Sequence, residues 1–99
     1  MIAAYVIAQL HIHDPDAYDL YAKPAIQTVL AFGGEIVIGR NGRRELLEGE
    51  GAIPQFIMAK FPSYEQALSW YNSADYAVLI NLRRKAASGS ILLVEGVGQ

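Results

Sequence analysis

Two histidines, His11 and His13, stand two residues apart, and Asp14 follows at once. Residues two apart on an extended strand point to the same side. Two imidazoles and a carboxylate are a ligand set for a metal ion. Asp14 has a competing use. It precedes Pro15, where its carboxylate caps the first helical turn and the proline suits the first helical position. The chain has no third histidine and no cysteine. No metal and no cofactor is therefore expected, and the histidines read as an exposed strand end. An axial haem ligand normally projects from a helix lining a pocket, and no histidine falls in a helical segment.

The richer chemical set is aromatic: six tyrosines and one tryptophan. Tyr18 and Tyr21 lie at helical spacing after Pro15. Trp70, Tyr71 and Tyr76 surround Asn72-Ser73. Two readings stay open. In one, the rings form a core in which each hydroxyl finds a backbone partner. In the other, they wall a pocket with an apolar body and a few hydroxyls, suited to a small aromatic or lactone-like ligand. The lining expected for that pocket is Asp14, Tyr18, Tyr21, Trp70, Ser73 and Tyr76, with Ser73 also placed to cap a helix. A phenol or carboxylate there could exchange a proton with a substrate enolate. No residue is assigned a catalytic role.

Other chemistry is not supported. Ser63, Ser69, Ser73, Ser88 and Ser90 lack the G-x-S-x-G context of a nucleophile elbow. Gly33-Gly34 and Gly49-Glu50-Gly51 read as turns, since neither matches a phosphate loop or a dinucleotide fingerprint. Arg83, Arg84 and Lys85 read as a solvated helix end that complements the dipole. Arg40, Arg43 and Arg44 read as a charged hairpin tip.

The elements that must position these residues follow from periodicity. Residues 2–12 are rich in β-branched side chains and form a strand. A helix opens at Asp14-Pro15 and ends at Gly33-Gly34, with Tyr18, Tyr21, Ala25, Val29 and Phe32 on one face. Pro24 is expected to kink or split it. Residues 35–40 form a strand, Asn41-Gly42 a hairpin turn, and 44–48 its return arm. Residues 54–61 form another strand. Ser63 and Gln66 fit a capping box at the start of the next helix. Asn72-Ser73 breaks that helix, and a further one starts at Ala74. Ser88-Gly89-Ser90 stops it, and residues 91–97 form the last strand. The order is β-α-β-β-α-β with a broken second helix, which predicts an α+β, ferredoxin-like antiparallel sheet over one domain, 1–99.

Of the 99 residues, 53% are hydrophobic and only 18% charged, with mean hydropathy +0.19. A charged fraction near 25% is usual. A net charge of −2 leaves no basic footprint for nucleic acid. The first residues lack a basic segment, and their apolar run is too short for a signal peptide or a membrane span, so a cytoplasmic location is expected. The strands hold the apolar surplus. Ile2-Ala3-Ala4-Tyr5-Val6-Ile7-Ala8, Ile36-Val37-Ile38, Phe56-Ile57-Met58-Ala59 and Ile91-Leu92-Leu93-Val94 do not alternate. Both sheet faces ask for burial while helices cover one. A homodimer through the free sheet face, a dimeric α+β barrel, is therefore expected, with Tyr5 at the interface.

These segments resemble a family of short bacterial proteins, domain-of-unknown-function family 1330, in the dimeric α+β barrel superfamily. The likeness spans residues 2–97. It rests on Ala4-Tyr5-Val6-Ile7-Ala8, Asp14-Pro15 with Tyr18 and Tyr21, Gly33-Gly34, Leu47-Glu48-Gly49, Phe61-Pro62-Ser63 and Leu93-Val94-Glu95-Gly96. Its most specific stretch is Ala67 followed by Trp70-Tyr71-Asn72-Ser73-Ala74-Asp75-Tyr76, similar to the family's Trp-Tyr-x-Ser-x-x-Tyr signature. Phe32 stands where the family often has histidine, and Ala74 where many members have proline. The resemblance implies the fold and the dimer. It implies no activity, because superfamily relatives range from cofactor-free monooxygenases and isomerases to haem enzymes and stress proteins. The function expected is a small dimer with a small-molecule pocket between helices and sheet. The alternative is a cofactor-independent monooxygenase- or isomerase-like enzyme acting on a small aromatic or lactone-like metabolite.

Overall fold

The apolar run near the N-terminus forms β1 (Ala4–Ile12) in the computed structural model, which describes residues 2–98. It is followed by α1 (Pro15–Ala31), β2 (Glu35–Ile38), β3 (Gln55–Phe61), α2 (Tyr64–Tyr71), α3 (Ala74–Ala86) and β4 (Ala87–Glu95). The four strands form one sheet in the order β2-β3-β1-β4. Every neighbouring pair is antiparallel. This is the ferredoxin-like α+β plait that the element order predicts.

Register fixes which side chains face the helices. Ala4, Val6 and Ala8 of β1 stand opposite Phe61, Ala59 and Ile57 of β3. Val6 and Ala8 also stand opposite Leu93 and Ile91 of β4. These join Tyr18, Tyr21, Ala25 and Val29 of α1, Ala67 and Trp70 of α2, and Tyr76 and Leu79 of α3 in one core. Strand side chains alternate between faces. Tyr5, Ile7, Phe56, Met58, Leu92 and Val94 therefore lie on the outer face, away from the helices.

Each helix starts on a side-chain cap. Asp14 accepts the Ala17 N–H at 3.1 Å, Ser63 the Gln66 N–H at 3.1 Å, and Ser73 the Tyr76 N–H at 3.2 Å. The reciprocal half of the capping box at Ser63 does not form. The Gln66 amide instead reaches the Phe32 carbonyl at 2.9 Å and ties α2 to the end of α1. That end is a left-handed glycine cap: Gly33 has φ +81°, its N–H reaches the Leu30 carbonyl at 3.0 Å, and the Gly34 N–H reaches Val29 at 2.9 Å.

Two expectations are corrected and one is narrowed. Of the kink or split expected at Pro24 the split does not occur, since α1 runs from Pro15 to Ala31. Proline frees the carbonyl four residues earlier. Here that is Leu20, 70% exposed, where water can bond it. The hairpin after β2 is absent. A turn closes from the Gly42 N–H to the Gly39 carbonyl at 3.2 Å, and among the described residues no residue other than glycine takes a positive φ. Asn41 thus cannot supply the backbone a primed hairpin turn demands. Residues 44–48 pair with nothing in the sheet and stay exposed. Finally, β4 begins at Ala87, directly on the last residue of α3, with Ser88, Gly89 and Ser90 inside the strand.

Candidate functional site

Between the sheet and the helices lies a cavity of about 180 Å³. Its sheet wall includes Val6, Ala8, Ile57 and Ile91, and its helix wall Tyr18, Tyr21, Ala25, Trp70, Tyr76 and Arg83. Arg40, just beyond β2, also borders it. Tyr18 and Tyr21 project from one face of α1. Tyr76 and Arg83 are seven residues, two helical turns, apart on α3 and so share a face.

The rings pack as a cluster. Tyr76 lies 4.3 Å from Trp70 and 6.3 Å from Tyr21, centroid to centroid, and Tyr18 lies 5.3 Å from Tyr21. The Trp70 indole N–H donates to the Thr28 hydroxyl at 2.8 Å, which itself donates to the Ala25 carbonyl at 2.7 Å. These bonds fix the indole against α1.

A polar chain runs through this apolar wall. The Tyr21 and Tyr76 hydroxyls share a hydrogen bond of 2.7 Å, and the Arg83 guanidinium donates to the Tyr76 hydroxyl at 2.7 Å. Arg83 is only 7% exposed. Burial works against its charge, but Tyr76 and Tyr21 outweigh that effect and hold its pKa above the ordinary arginine value. Burial likewise pushes the Tyr18 hydroxyl up to about 12; Tyr76 adds to the rise, and Arg40 and Arg83 oppose it. Tyr21 is raised by burial first and then by Tyr76. Tyr18 and Tyr21 therefore stay protonated at neutral pH. Arg40 closes the tyrosine end, its guanidinium 5.1 Å from the Tyr18 ring centre and 2.9 Å from the Asp19 carboxylate.

Of the residues expected to line a pocket, Tyr18, Tyr21, Trp70 and Tyr76 come together at the cavity. Asp14 and Ser73 are not part of its wall. Asp14 is exposed at the start of α1 and serves as its cap. Ser73 caps α3 and donates to the Trp70 carbonyl at 2.7 Å, which places it behind the aromatic cluster. Arg83 replaces them as a polar wall residue; it is a buried arginine, not the solvated helix end its neighbours suggest. His11 and His13 are exposed, and among the described residues no three His, Asp or Glu side chains converge as a metal site. No helix among the described residues is long and apolar enough to cross a membrane.

Fold and wall together define a ferredoxin-like protein with an aromatic cavity under its helices. The chain belongs to the family described as Domain of unknown function (DUF1330), whose profile matches residues 3–97. Its fold is similar to that of the methylated RPA0582 protein, with TM-score 0.72 and 15% identity over 98% of this chain and 82% of that one. A second structure of RPA0582, a protein of unknown function from Rhodopseudomonas palustris, gives TM-score 0.70 and 14% identity over 95% and 80%. A dimeric protein of unknown function with a ferredoxin-like fold from Bacteroides fragilis gives TM-score 0.54 and 8% identity over 95% and 93%. At these identities the likeness speaks for the fold alone. No curated protein matches the sequence.

Proposed function

We propose that the chain is a homodimer that binds one small, single-ring-sized organic molecule per copy in the cavity beneath its helices. The cavity itself carries this reading: about 180 Å³, walled by Trp70 and three tyrosines. A dry protein cavity of roughly 150 Å³ already admits benzene. The phenols would orient the guest, and the apolar wall would supply its affinity.

Recognition is favoured over catalysis. No Asp, Glu or His lines the cavity. The raised pKa values of Tyr18 and Tyr21 make them hydrogen-bond donors, not bases, near pH 7. The dimer reading rests on the outer sheet face, where Leu92 is 50% and Val94 41% exposed beside Tyr5, Ile7, Phe56 and Met58. A four-stranded face of this kind measures about 20 by 30 Å. That is the scale of the ~800 Å² per partner in a stable complex. The B. fragilis neighbour, described as dimeric, supports the same assembly.

A panel of single-ring compounds tests the cavity by thermal shift and by the fluorescence of Trp70. The expected result is a raised melting temperature and a changed Trp70 emission with at least one compound. No response in either signal across the panel overturns the binding reading. Light scattering at micromolar concentration tests the assembly, and a stable monomer overturns the dimer.

A further inference from the structure

We infer that the cavity's guest is an anion, a small aromatic or short-chain carboxylate whose charge is met by Arg83; this rests on the binding reading above and names its ligand class. The whole chain carries a net charge of −2, yet the charged residues in the cavity wall are Arg40 and Arg83. Among the described residues the only ion pair is Arg40 with Asp19 at 2.9 Å. Arg83 is more than nine-tenths buried and has no carboxylate to balance it. A buried charge is stable only when paired and hydrogen-bonded. The guanidinium has five N–H donors, and one meets the Tyr76 hydroxyl.

Proton arithmetic at the phenols points the same way. Tyr21 and Tyr76 bring two hydroxyl protons to a single shared bond, and Arg83 donates to that pair instead of accepting from it. One phenolic proton is therefore left for a third acceptor. The Tyr18 hydroxyl makes no hydrogen bond among the described residues, and since no fully buried side-chain oxygen or nitrogen there lacks a partner, it is an oxygen that a guest can reach. A guanidinium, which only donates, a spare phenolic O–H and a second phenol form a donor-rich constellation around an apolar space. A carboxylate brings acceptors and no donor, and its planar form suits the guanidinium fork. The apolar part of the guest then lies against Trp70, Ala8 and Ile57.

Calorimetric titration with benzoate and with benzamide, its neutral isostere, tests the inference on the full chain. Benzoate is expected to bind at least tenfold more tightly than benzamide. Arg83→Met is expected to bring the two affinities within about twofold, and Arg83→Lys to keep the preference for benzoate. Should the Met variant fail to fold, the wild-type ratio and the Lys variant still decide. Benzamide binding as well as benzoate overturns the anion class and leaves the binding reading standing. If neither probe binds while another single-ring compound of the panel does, the anion class falls and the binding reading stands; silence across the whole panel overturns both. An unchanged benzoate preference in folded Arg83→Met assigns the charge recognition elsewhere and overturns the role of Arg83.

Discussion

At Tyr76 three demands meet in one side chain. Its ring packs at a tilt against Trp70, its hydroxyl bonds Tyr21, and the same oxygen accepts from Arg83. Tyr21→Phe removes one neutral hydrogen bond and is expected to cost about 1 kcal/mol. Tyr76→Phe also deprives a buried cation of its partner and is expected to cost about 2–3 kcal/mol. Chemical denaturation of both single variants and the double checks this, with a coupling of roughly 0.5–1.5 kcal/mol expected. Alkaline pH probes the same groups. Tyr18 and Tyr21 have higher pKa values folded than unfolded. Above the ordinary tyrosine value the unfolded chain therefore loses protons that the folded chain keeps, and stability falls as pH rises. For Tyr18 the loss runs from about pH 10 to about 12. Denaturation midpoints across this range are expected to fall, less steeply in Tyr18→Phe. The tyrosines were legible in the sequence because helical spacing puts them on buried faces. Arg83 was harder to read. It shares a face with Tyr76, but a cation in a last helical turn has an ordinary use at the dipole, and sequence alone does not show which use prevails.

At the scale of elements, caps and backbone close approaches organise the fold. Ser73 accepts the Tyr76 N–H and donates to the Trp70 carbonyl, so one hydroxyl joins the end of α2 to the start of α3. Ser73→Ala is expected to destabilise by about 1–2 kcal/mol. Thermal unfolding measures this, and Ser73→Asp, which restores the cap alone, should recover part of the loss. All three caps were readable from local chemistry. The hairpin after β2 was not, because Asn41-Gly42 is equally at home in an ordinary turn with glycine in the fourth position. Arg40, in that turn, is held by Asp19 and by the Tyr18 ring, contacts with α1 that local sequence does not show. Pro24 shows the same limit: a proline inside a helix weakens it, but whether the helix continues depends on the packing around it, and α1 runs on to Ala31.

At the scale of the molecule, the apolar surplus divides between two places. One part lines the space under the helices; the other stands on the outer sheet face, where Leu92 and Val94 remain open in a single copy. In the proposed dimer, Leu92→Glu would set like charges against each other across the two-fold axis, while leaving the cavity wall untouched. Sedimentation is expected to show dissociation to monomers, and Trp70 fluorescence is expected to stay unchanged. The element order made the ferredoxin-like plait readable before any coordinates, because it is a property of pattern and not of detail; the unbroken apolar strands mark the outer face that the proposed dimer would bury.

The direct passage of α3 into β4 bears on which changes in chain length the fold can absorb. Ala86 ends the helix, Ala87 starts the strand, and the Ala86 carbonyl accepts the N–H groups of His13 at 3.0 Å and Asp14 at 3.2 Å. No spare residue lies between them. Inserting one would exchange the two faces of β4, sending Leu92 and Val94 inward and Ile91 and Leu93 outward. It would also carry Gly89 away from Gln9, whose carbonyl oxygen lies 2.0 Å from where a Cβ at Gly89 would stand. An extra glycine after Ala86 should therefore abolish cooperative unfolding. The same insertion after Gly49, in an exposed segment outside the sheet, should leave the melting temperature nearly unchanged. Natural length variation in this fold is expected to gather between β2 and β3 and to spare the junction of α3 with β4.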